Sequence, residues 1–138
     1  MRNDFTQCMV SNSRMAARAI TRRYDAYVRP FGITATQLSV MGMIISARGR
    51  NVSELAEARG FERTTLTRNI DRLEGMGLIV SRPADHGNGR ICRLTEKGEA
   101  LVDEVLPVWE KAQAEIRNEL GAEEFDRTVA TLKRLAAV

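Results

Sequence analysis

The sequence predicts a mainly α-helical chain with one small β-hairpin. Three observations point there. Apolar residues recur three and four positions apart along most of the 138 residues, the period of an amphipathic helix. That period lapses once, where Leu78–Arg82 and Gly89–Leu94 flank the turn-like run Pro83-Ala84-Asp85-His86-Gly87-Asn88. Glycines also punctuate the helical runs, at Gly32, Gly49, Gly60, Gly75, Gly77 and Gly121.

The first run places Phe5, Met9, Ser13, Ala16, Ile20, Tyr24, Tyr27 and Phe31 on one face and predicts a helix from about residue 5 to 28. Its length is about 36 Å at 1.5 Å per residue. One subunit of this size has difficulty covering such a helix, so a partner subunit is expected. Arg29-Pro30-Phe31-Gly32 ends it, because the residue before a proline disfavours helix. Thr34 and Gln37 form a capping box for a second helix, with Leu38, Met41 and Ile45 expected to face the core. Ser53 is expected to cap a short third helix, SELAEAR, that stops at Gly60. A fourth, from Arg63 to Met76, buries Leu66, Ile70 and Leu73; Glu62 before it is a mediocre cap. After the hairpin, Thr95 caps a fifth helix with apolar Leu101, Val105, Trp109, Ala112, Ile116 and Leu120, and Pro107 should kink it. A last helix is expected to bury Phe125, Val129, Leu132 and Leu135. No repeat or low-complexity linker divides the chain, so one domain is expected.

No run of about 18 apolar residues occurs, and MRNDFTQCMVSNSR lacks the apolar stretch of a signal peptide; a soluble cytoplasmic protein without a membrane partner is expected. Cys8 and Cys92 lie far apart without metal-ligand spacing and read as free thiols. The single histidine, His86, falls at a loop tip. Neither a phosphate loop, a catalytic carboxylate pair nor a nucleophile elbow is present, so no enzyme, cofactor or metal is expected. The net charge is only +3, yet it is unevenly spread. Residues 1–47 carry six Arg against two acids, and 48–98 carry ten Lys/Arg against seven acids. Residues 99–138 reverse this, with five Lys/Arg against nine acids. A basic front and acidic tail suit a protein that offers one surface to a polyanion, although scattered surface charge accounts for the count equally well.

The short helix, the Gly60 turn and the next helix form a helix-turn-helix pattern, in which the second helix enters the DNA major groove. With Leu66, Ile70 and Leu73 inward, Thr64, Arg68 and Asp71 lie opposite, and Thr67 and Arg72 flank them. Arg63 sits at the helix start. Arginine can bridge both acceptors of a guanine. Thr64, Thr65 and Thr67 can bond phosphates or touch a thymine methyl, and Ser53 at the start of the shorter helix joins the candidate contacts. The alternative is that Arg68 or Arg72 simply pairs with Asp71 on a solvated surface. The hairpin carries Arg82 and Arg90 on either side of its tip, then Arg93, and such a wing can lay an arginine in the minor groove. The alternative there is an Asp85–Arg90 pair.

The run VSELAEARGFERTTLTRNIDRLEGMGLIVSRPAD, followed by GRICRLTEKG, resembles the MarR family of bacterial transcription regulators. A looser pattern in YDAYVRPFGITATQLSVMGMI and LPVWEKA extends the resemblance over nearly the whole chain. It implies a winged helix-turn-helix lobe over residues 34–95 and a helical dimerisation region over 5–30 and 99–138. It also implies a homodimer on a pseudo-palindromic double-stranded operator, commonly as a repressor, released by a small aromatic or phenolic ligand. Arg90 takes the position nearest the family's wing-tip arginine, but the family's Asp stands two residues before that Arg, whereas Asp85 and Arg90 are five apart. Tyr27, Leu38, Met41 and Ile45 are the implied effector-pocket residues, and each reads equally well as core. Some relatives sense hydroperoxides through a cysteine near the start of the first helix. Cys8 stands there, with Asn12 rather than a tyrosine one turn on, so an idle thiol is the stronger reading. The remaining alternative is a winged helix that holds a protein partner.

Overall fold

The computed structural model describes residues 4–87 and 89–137. Six α-helices and one hairpin follow in the order α1 (Met9–Val28), α2 (Ala35–Ile45), α3 (Val52–Arg59), α4 (Arg63–Gly75), β1 (Ile79–Pro83), β2 (Arg90–Leu94), α5 (Glu96–Leu120) and α6 (Ala122–Ala136). The predicted first helix is divided. Phe5–Gln7 forms a 3-10 turn capped by Asp4, and α1 proper begins after Cys8, whose extended backbone (ψ 123°) breaks the helix.

Local chemistry fixes the ends of these elements. The Thr34–Gln37 capping box is present, with reciprocal bonds of 3.0 and 3.1 Å, and the Ala35 amide donates to Asp25 Oδ1 at 2.7 Å, tying α2 to α1. The cap of α3 differs from expectation. Asn51, not Ser53, accepts from the Glu54 amide, and the Glu54 carboxylate in turn accepts from the Asn51 amide. Ser53 lies inside the first turn and is half-buried. Gly60 takes φ +68° and turns the chain from α3 into α4. The antiparallel hairpin pairs Ile79 with Leu94 and Pro83 with Arg90. Thr95 then caps α5 by accepting from the Gly98 amide, and its hydroxyl donates to the Gly77 carbonyl at 2.6 Å. α5 runs on through Pro107 to Leu120.

The core sits where α2, α3, α4, the hairpin and the middle of α5 meet, with Met41, Leu55, Leu66, Ile70, Leu73 and Val105 fully enclosed. Two apolar expectations fail. Ile45 is 60% exposed, because α2 turns Val40, Met41, Met43 and Ile44 inward instead. α6 buries none of its residues: Leu132 and Leu135 are each 53% exposed, and Val129 is exposed too. Among the described residues nothing covers that face. The helical ends are joined to each other by polar contacts. Arg23 of α1 makes two bonds to Glu119 of α5, at 2.6 and 3.0 Å. Tyr24 and Tyr27 donate to Gln113 and Glu115. Arg117 grips Asp126 of α6 and stacks over Phe125, 5.3 Å from the ring centre. No helix among the described residues is long and apolar enough to cross a membrane, and no group of His, Cys, Asp and Glu there could hold a metal ion.

Candidate nucleic-acid interface

α4 has the two-sided character its sequence predicts. Leu66, Ile70 and Leu73 are at most 1% exposed and anchor it to the core. Its opposite side forms a shallow hollow lined by the polar and charged residues Arg63, Thr64, Thr67, Arg68 and Asp71. Arg63, Arg68 and Arg72 are exposed, and among the described residues none of them makes a salt bridge. The Arg68–Asp71 and Arg72–Asp71 pairs allowed by the sequence are therefore absent there. Thr65 is half-buried and its hydroxyl leans toward Glu62 at 3.5 Å, so it looks away from the hollow. Glu62 gives α4 no side-chain cap. The first amides of α4 are thus left without a side-chain acceptor at the end where a phosphate is electrostatically favoured.

The hairpin's arginines are arranged differently from expectation. Arg82 on β1 is exposed, and its Nη1 holds Asp85 at 2.9 Å. Asp85 is thereby occupied, and Arg90 does not pair with it. Arg90 sits on β2 rather than at the tip and turns back onto α4, donating to Asp71 at 2.6 Å and Glu74 at 3.4 Å. Burial pulls its pKa down, but the hydrogen bond to Asp71 and the charges of Asp71 and Glu74 outweigh that and raise it. Glu74 also accepts from the Ser81 hydroxyl of β1. Asn88, the tip residue beside Gly89, lies outside the described residues. Arg93 projects outward from β2.

A family model described as the MarR family matches residues 31–90. In three dimensions the chain is similar to the M. tuberculosis transcriptional regulator MosR in complex with DNA, at 33% identity over 94% of each chain, with a TM-score of 0.84. The chain belongs to the MarR family. As a MarR-family protein it is a DNA-binding transcription regulator built on a winged helix. It is also similar to MarR from E. coli in its apo form, at 26% identity over 92% of this chain and 96% of that one, with a TM-score of 0.73. With the repressor CouR bound to p-coumaroyl-CoA it shares the fold, at 24% identity over 99% and 97% of the two chains and a TM-score of 0.84.

This MarR-family chain also contains a cleft of about 640 Å³ between α1, α2 and α5, bounded below by the α3–α4 turn. Leu38 and Ile45 line it, and the exposure of Ile45 follows from that position. Met41 and Tyr27 do not. Met41 is sealed in the core, and Tyr27 turns its hydroxyl to Glu115. Sequence reasoning missed Tyr24, Phe61, Trp109 and Arg59, which do line the cleft. They come from three helices and the α3–α4 turn, so no local spacing could gather them. Cys8 is half-buried at the start of α1, and hydrogen bonds from Ser11, backbone and side chain, and from the Val10 amide hold its thiol below the usual range. Both tyrosine hydroxyls of α1 are engaged by α5 instead. Cys92 is a core residue, 5% exposed, and burial pushes its thiol up.

Proposed function

We propose that two copies of this chain bind a pseudo-palindromic operator as a repressor, with α4 of each copy in successive major grooves, and that a small aromatic ligand in the cleft releases them. The observation that carries the reading is the outer side of α4. Three arginines free of carboxylate partners among the described residues stand there with two threonines, in a chain 33% identical to a DNA-bound regulator. Arg63, Arg68 and Arg72 supply the guanidinium forks, and Thr64 and Thr67 the smaller contacts. Ser53 on α3 and Arg82 on the hairpin supply contacts to backbone phosphates. Thr65, leaning to Glu62, contributes less.

Selection of duplexes from a random-sequence pool tests this. The expected product is an inverted repeat with half-site centres about 10 bp apart, one turn of DNA. Arg68→Ala should lose about 10- to 100-fold discrimination at one base pair per half-site, the value of a bidentate contact. A pool from which no sequence is enriched would mean that the winged helix holds a protein partner instead.

The cleft favours a ligand reading for a specific reason. Its walls are mainly apolar and aromatic, and Arg59 is the one charged side chain among the lining residues. An aromatic carboxylate matches that combination. Trp109 is the only tryptophan in the chain and lines the cleft, so its emission reports binding directly. Titration with aromatic carboxylates should give a saturable change together with release of the selected duplex. Unchanged emission and retained DNA up to millimolar ligand would count against the cleft as an effector site.

A further inference from the structure

We propose that Arg90 is a positioning residue that locks the wing to the recognition helix, and that it supports DNA reading through Asp71 and Glu74 rather than through a phosphate. The inference rests on the DNA-reading proposal above.

Asp71 and Glu74 are three residues apart on α4 and so share one side of it. Both accept from Arg90, and Glu74 accepts as well from Ser81. Two strands of the hairpin therefore converge on two carboxylates of one helix. The Arg90 side chain is only 26% exposed and Glu74 30%, while Asp71 is 60% exposed, so the Arg90–Glu74 side of the network is better shielded than an isolated surface pair. A guanidinium suits the task, because its planar fork reaches two acceptors at once, whereas an ammonium is a point charge on a flexible stem. Asp71 lines the same hollow as Arg63, Thr64, Thr67 and Arg68. Left alone, a carboxylate there would repel phosphates. Paired with Arg90 it is neutralised, and its position fixes where the hairpin sits beside the helix.

The test is a set of affinity measurements on the selected duplex, with the folded fraction of each variant checked by circular dichroism and its melting midpoint recorded. Arg90→Ala and Arg90→Lys are each expected to weaken binding by roughly tenfold, the scale of a coupled charge network. In an Asp71→Ala, Glu74→Ala background, removing Arg90 is expected to change affinity less than about twofold, because its partners are already gone. A phosphate-contacting arginine gives the opposite pattern. Lys would then retain most of the affinity, and Arg90→Ala would cost as much in the acid-free background as in the wild type. That pattern, or an Arg90→Ala protein that binds as the wild type does, overturns the proposal. If the wild-type protein selects no duplex at all, the DNA-reading proposal fails first and takes this one with it.

Discussion

Gly98 shows how a single atom can decide the joint between the wing and α5. A Cβ built on it would lie 2.2 Å from the Leu78 carbonyl oxygen, a backbone atom at the threshold of β1. The same carbonyl accepts from the Thr95 amide, and Thr95 caps α5 through the Gly98 amide. The approach is therefore held by these two hydrogen bonds, one to the Leu78 carbonyl and one to the Thr95 hydroxyl, and cannot open without breaking them. Gly98→Ala should cost about 3 kcal/mol in overpacking, offset by about 1 kcal/mol of helix propensity. The expected net loss is about 2 kcal/mol, a fall in melting midpoint of several degrees by calorimetry. Unchanged or raised stability would mean that α5 slides freely away from β1.

The start of α3 separates a structural role from a reading role on neighbouring residues. Asn51 closes the capping box, and its side chain lies where a Cβ on Gly89 of the hairpin turn would meet it at 3.7 Å. Asn51→Ala should cost about 1 kcal/mol in urea denaturation. Ser53→Ala, which removes no cap, should leave that midpoint unmoved while weakening DNA binding through a lost phosphate contact. Equal destabilisation by both would return the cap to Ser53. The sequence already held the answer: Glu54 follows Asn51 by the three residues a capping box needs, while Ala56 follows Ser53. Other features were open to reading only in part, for different reasons. α4 was legible because a single stripe, Leu66, Ile70 and Leu73, separates its two sides. α2 was not, since Leu38, Val40, Met41, Met43, Ile44 and Ile45 place apolar groups all round it and leave its inward side undetermined. Arg90 needed the strand register and the helix–hairpin approach together, and neither is a local property. The effector cleft draws on residues from α1, α2, α4's approach and α5, so only the folded chain collects them.

On the scale of the whole molecule, exposed large apolar side chains outside the cleft gather toward the two ends of the chain. Phe5, Met9, Val10 and Met15 are each more than half exposed, and Leu132 and Leu135 match them on α6. Soluble monomers rarely expose large contiguous apolar patches. Each of these side chains contributes roughly 1.5–3 kcal/mol when covered, so a handful suffices for a stable pair of subunits. Both patches lie in the helical ends, outside the Val52–Leu94 reading module, which leaves α4 free to face DNA in each copy. The acidic excess of residues 99–138 also falls in these ends rather than beside α4. Replacing Leu132 and Leu135 together by Asp should therefore separate the copies without unfolding the core, because neither side chain touches it. Sedimentation equilibrium at micromolar protein should show two 15.4 kDa chains together in the wild type and one in the variant. On the selected duplex the variant should lose the second half-site's contribution, several orders of magnitude in affinity, yet keep the same base preferences within one half-site, since α4 and the wing are unaltered. A variant that stays dimeric would place the interface elsewhere, and a wild type that sediments as one chain would remove the two-fold reader altogether.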